Sequence, residues 1–133
     1  MRPDQKTWLE GYITEVQGAM SLSHWNIILS DDPADPDTYA QIKPTVCRDT
    51  AVLRVADVIF DQSPGSIRNS VVHELIHCIL EPVRWVMLNA ANELSRSAAV
   101  IVEEEHHDAM ELATDRLAKA AAAAVPLPES IPT

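Results

Sequence analysis

The sequence predicts an α+β domain built on one small core. Apolar residues recur at helical spacing near both ends of the chain, and short alternating runs lie between them. Read in order, the segments run α-β-β-β-α-α, which suits a small sheet packed on helices. The length fits a single domain, and with 47% apolar residues the chain can bury one modest core. Residues 1–125 are assigned to that domain and 126–133 to a disordered tail, because Val125-Pro126-Leu127-Pro128 stops the last helix.

The first helix is expected from about Gln5 to Met20, where Trp8, Leu9, Tyr12, Ile13 and Val16 form an apolar stripe. His24 to Leu29 reads as a strand with Trp25, Ile27 and Leu29 on one face. An acidic, proline-rich loop follows from Asp31 to Asp37; it lacks the glycine and terminal glutamate of a calcium loop. Tyr39 to Lys43 is a second strand, closed by Pro44. Thr50 to Ile59 is a third, with Val52, Arg54, Ala56 and Val58 alternating against Leu53 and Val55. Its end, from Arg54 to Val58, is expected to be a sheet edge able to pair with an extended peptide.

Ser63-Pro64 then gives an N-cap and a proline at the first helical position. Ile67, Val71, Leu75 and Ile79 supply a buried stripe, with Ser70, His73, Glu74 and His77 on the adjacent face. Glu81-Pro82 is expected to end this helix, since proline disfavours helical geometry in the residue before it. A long C-terminal helix runs from about Arg84 to Ala124, breaking around Ser95 to Ser97.

The strongest chemical signal is His73-Glu74-Leu75-Ile76-His77, an H-E-x-x-H sequence. Residues four apart on a helix lie one above the other, so His73 and His77 can reach one ion together. Glu74 projects beside them, placed to act as general base on a water bound to that ion. Apart from Glu74, the stretch from Ser70 to Ile79 carries no acid or base beyond its histidines. Burying such groups is costly without partners, and a metal ion is a common one.

A catalytic zinc ion usually takes a third protein ligand. A metzincin pattern is excluded, because Leu80 and Val83 stand where its glycine and histidine belong. The remaining pattern is a glutamate on a later helix with an acid four residues on. Glu104 with Asp108 and Glu111 with Asp115 both offer it. Glu111 is favoured because Leu112 and Leu117 flank it as core residues would, whereas Glu104 sits among three acids. Glu93 and His107 remain as further candidates. Asp115 can orient a ligating histidine through its other ring nitrogen.

The chain resembles the minimal zincin metallopeptidases, and among them small phage- and prophage-associated peptidases of the gluzincin type. The likeness rests on Val72-His73-Glu74-Leu75-Ile76-His77, on Glu111 followed by Asp115-Arg116-Leu117-Ala118, and on the short strands before them. It implies a zincin-like fold, a zinc ion and peptide hydrolysis, with a peptide or protein as substrate. His73, His77 and Glu111 are then the expected metal ligands and Glu74 the catalytic base. His106, His107, Tyr39 and Arg54 are candidate donors to an oxyanion. The alternative is a non-catalytic zinc-binding interaction module.

Charge and composition narrow the partners. A net charge of −10 and the lack of a basic cluster disfavour nucleic acid and anionic membranes. With no signal-like start and no apolar run long enough for a bilayer, a cytoplasmic protein is expected. Cys47 and Cys78 are too few for a disulfide scaffold and read as reduced packing residues.

Overall fold

The computed structural model describes residues 1–45 and 48–132. Three helices and a three-stranded mixed sheet make up the α+β fold. Helix α1 spans Pro3–Ala19, followed by β1 (Asn26–Leu29), β2 (Ala40–Pro44) and β3 (Thr50–Val55). A 3₁₀ turn at Asp57–Asp61 leads into α2 (Pro64–Ala91), and α3 (Arg96–Ala122) returns antiparallel in sequence order. Cys47 lies outside the described residues.

Helix α1 starts at Pro3, whose missing N–H costs nothing in a first turn. The backbone N–H of Arg2 donates to Gln5 Oε1 at 2.9 Å, which fixes that end. Leu9, Tyr12, Ile13 and Val16 are buried, as their spacing predicts. Gln17 is buried beside them; its Nε2 donates to the carbonyls of Leu22 and Trp25, at 3.0 and 2.8 Å, and ties down the turn into β1.

The strand order is β1-β3-β2, with β1 parallel and β2 antiparallel to β3. Ala51, Leu53 and Val55 point into the core, and Val52 points out. The alternation was therefore readable, but the neighbours were not. The 54–58 segment is not an edge: Arg54 and Val55 belong to the central strand, and the chain turns away from the sheet after Ala56. The free edge on the α2 side is β2.

Two helix boundaries also differ from expectation. Pro82 stands inside α2, which continues ten residues beyond Glu81 to Ala91. Pro82 is exposed, and α2 packs along α3, so tertiary contact outweighs the local cost of a proline. The helical break falls at Asn92–Ser95, with Ser95 as the N-cap of α3. Residues 126–132 are not a loose tail. Trp8 Nε1 donates to the Glu129 carbonyl at 2.8 Å and Tyr12 OH to that of Pro126 at 2.9 Å, with Val125 buried at the start of the segment. Among the described residues no helix is long and apolar enough to cross a membrane.

Candidate metal centre

Helix α2 begins with Ser63 as N-cap, its side-chain oxygen accepting from the Ser66 N–H at 3.2 Å, and with Pro64 in the first turn. Ile67, Val71, Val72, Leu75, Ile76 and Cys78 are all buried, so this half of the helix is embedded in the core. Ile79, expected in the buried stripe, is 48% exposed. Cys78 faces the core, away from the histidines, and burial pushes its thiol up to about 12.

The two imidazoles converge. His73 Nε2 and His77 Nε2 are 3.3 Å apart, with ring planes at 70°. Glu111 reaches them from α3: its Oε2 is 3.4 Å from His73 Nε2 and its Oε1 is 3.4 Å from His77 Nε2. Atoms held about 2.0–2.1 Å from one tetrahedral ion lie about 3.3–3.4 Å from each other. The three contacts match that spacing, and these three residues form the one group among the described residues whose geometry could hold a metal ion. The other nitrogen of His73, Nδ1, is 3.0 Å from Asp115 Oδ1. That contact leaves Nε2 facing the other two donors. Burial depresses the pKa of His77, with the neighbouring Glu111 opposing, and so favours the neutral imidazole that binds metals.

Glu74 lines the same cleft, 8% exposed, and its Oε2 accepts the backbone N–H of Ile42 at 2.7 Å. Burial pushes its carboxyl up to about 8, the Ile42 bond opposing and the Glu111 charge adding to the rise. The edge strand is therefore locked to the helix that carries the histidines. At the two ends of the β2–β3 pair, the Thr45 N–H bonds to Thr50 O and the Ala56 N–H to Tyr39 O. With the register Ile42 opposite Leu53, the polar backbone groups of Ala40 and Ile42 are turned off the sheet, toward the cleft side.

The other candidates separate. Glu104 is exposed and outside the group; Glu93 lies in the α2–α3 connection. His106 and His107 line the cleft, with burial lowering the pKa of His106. Tyr39 and Arg54 do not line it, and Arg54 pairs with Asp35 at 3.4 Å. Glu111 was expected for a reason the structure reverses. Leu112 and Leu117 are both exposed, and α3 buries Thr114, Ala118 and Ala122 instead.

Two charged residues of α2 that line the cleft escaped the sequence reading. Glu81 and Arg84 follow His77 by four and seven residues, a helical spacing that places them on the same face. Ending the helix at Pro82 hid them. The cleft encloses about 620 Å³, within the range of sites that take small molecules or peptide side chains.

No protein-family model matches the chain, and no curated protein or solved structure matches it either. Among the described residues the class is that of the fold itself: α+β, with three helices and a small mixed sheet.

Proposed function

We propose that this chain is a zinc-dependent peptidase with a zincin-like active site. The observation that carries the reading is the triangle of His73 Nε2, His77 Nε2 and the Glu111 carboxylate, with sides of 3.3, 3.4 and 3.4 Å. It is the spacing that a tetrahedral zinc ion requires. Those residues would hold the ion, with Asp115 fixing the His73 tautomer through Nδ1. Bound zinc would supply Lewis acidity and a water acidic enough to ionise near neutral pH.

The chain's own groups do the rest. Glu74 is the proton carrier. Its carboxyl lies in the cleft beside the ligand set, where it can take a proton from the water and return it to the leaving amine. Ile42 positions it through the 2.7 Å bond. In place of the 54–58 segment expected from sequence, the edge of β2 can offer an extended peptide the backbone groups of Ala40 and the Ile42 carbonyl, the Ile42 N–H being taken by Glu74. His106, His107 and Arg84 line the cleft as candidate donors to the oxyanion.

Elemental analysis of the purified protein should return one zinc per chain, lost in His73→Ala. Glu74→Gln should keep zinc and lower kcat/KM by about 10²–10⁴, the usual share of general acid–base catalysis. A Glu74→Gln protein as active as wild type would overturn the base assignment, and metal-free wild type in excess zinc would overturn the site. One observation favours a second reading, a non-catalytic zinc-binding interaction module: the Glu74 carboxylate is bonded to the sheet rather than free. Stoichiometric zinc with no cleavage of a diverse peptide library would decide for it.

A further inference from the structure

The cleft continues past the histidines along α2. Glu81 follows His77 on the same face, about 6 Å further along the helix axis. It is 7% exposed, and its Oε1 is shielded from solvent with no hydrogen-bond partner among the described residues. A buried acceptor without a donor costs roughly 1–3 kcal/mol, more if it is charged. Here that cost falls on the wall of a cleft rather than in the closed core. The same stretch is lined by Met87, Leu88 and Met110, and Glu103 adds a second carboxylate from α3. Methionine and leucine offer adaptable apolar walls. A buried carboxylate one turn from the metal-binding histidines, with apolar side chains around it, matches an alkyl chain that ends in a cation.

We propose that Glu81 sets the substrate class of this site by receiving the ammonium or guanidinium of a lysine or arginine side chain next to the cleaved bond. This rests on the peptidase reading above. The basic groups nearby do not occupy the role. Lys43, Arg84, His106 and His107 line the cleft, but none bonds to Glu81 Oε1; Lys43 and Arg84 are exposed, and burial favours the neutral form of His106. A net charge of −10 draws a cationic peptide toward the domain as a whole.

The test uses zinc-loaded protein and peptides acetylated at one end and amidated at the other. They differ at a single position, carrying Lys, Arg, norleucine or Glu. Cleavage of the Lys and Arg peptides should exceed that of the norleucine peptide by about tenfold or more in kcat/KM, the scale of one desolvated charge contact. In Glu81→Gln the Lys-to-norleucine ratio should fall toward one with zinc content unchanged. The same peptides are titrated calorimetrically into zinc-loaded Glu74→Gln, where the Lys peptide should bind about tenfold tighter than the norleucine peptide. Equal cleavage and equal binding of Lys and norleucine peptides would overturn the proposal. So would a preference for the Glu peptide, which would assign the cleft to Arg84. If nothing is cleaved, the peptidase reading fails alone, and the binding ratio still decides the role of Glu81. The wild-type profile answers even if Glu81→Gln does not fold.

Discussion

The two helices that bring the metal-binding group together are held in opposite ways. Up to Glu81, α2 is embedded, with Ile67, Val71, Val72, Leu75, Ile76 and Cys78 buried and the sheet packed alongside. Helix α3 is nearly as long as all of α2 but buries only Thr114, Ala118 and Ala122, a narrow seam of small side chains. Small residues let backbones approach closely, so a short side chain such as Glu111 can reach across to two histidines. The contact is extensive but shallow: α3 has little buried apolar surface of its own. The site is thus half embedded pedestal and half surface arm, and the arm supplies the charged ligand.

The largest effects should appear where that contrast is cut directly. Glu111→Ala should weaken zinc binding by more than about 100-fold in competition titration, while Glu104→Ala leaves it unchanged. Asp115→Asn should fall between, at about 10–100-fold, as expected when only the partner of a ligand is altered. Equal losses for Glu104→Ala and Glu111→Ala would mean that the arm docks in another register.

How much of this the sequence disclosed follows from the same contrast. On α2, the N-cap Ser63, the His73/His77 spacing and most of the apolar stripe were legible, because burial leaves a strong periodic pattern. On α3 the Glu111–Asp115 spacing was legible but its surroundings were misleading. This exposed helix carries Leu112 and Leu117 in solvent, and its true seam of Thr and Ala gives little hydrophobic signal. Strand alternation revealed which faces of β3 are buried and could not reveal its neighbours, so the free edge was assigned to the wrong segment. The docking of residues 126–132 depends on the Trp8 and Tyr12 side chains far away in sequence.

Pro82 marks where the pedestal ends. Beyond it, Val83, Trp85 and Val86 are all exposed, and only Ala91 is buried. An interior proline removes a backbone hydrogen bond and crowds the preceding turn, at about 3 kcal/mol. Pro82→Ala should therefore raise stability by up to about that amount, seen as a higher urea midpoint. A loss of stability would show that the proline bends α2 into its contact with α3.

A smaller effect concerns pH in the metal-free protein. The Glu74 carboxyl ionises near its ordinary 4.5 when unfolded and at about 8 when folded. Between these values the folded state holds a proton that the unfolded chain has released. Its stabilising contribution is complete below 4.5 and is lost as pH rises through 8, at no more than about 1.4 kcal/mol per pH unit. His77 acts in the opposite sense: its pKa is depressed, so its contribution is lost as pH falls below 6.5. The interval from pH 7 to 8 therefore isolates Glu74. Wild type should lose stability across it and Glu74→Gln should not; parallel curves would place the Glu74 carboxyl outside its buried contact with Ile42.

The smallest effect tests the seam of α3. Thr114 is fully buried, and its Oγ1 has no hydrogen-bond partner among the described residues. A hydroxyl shielded from water without a partner costs roughly 1–3 kcal/mol, and valine has nearly the same shape. Thr114→Val should thus stabilise the protein by about 1 kcal/mol, read from denaturant midpoints. Thr114 is one turn beyond Glu111 on the face that meets α2, so a tighter seam should leave zinc affinity unchanged or raise it. If Thr114→Val lowers zinc affinity while raising stability, the hydroxyl serves the metal centre, and the arm is held by more than its small residues.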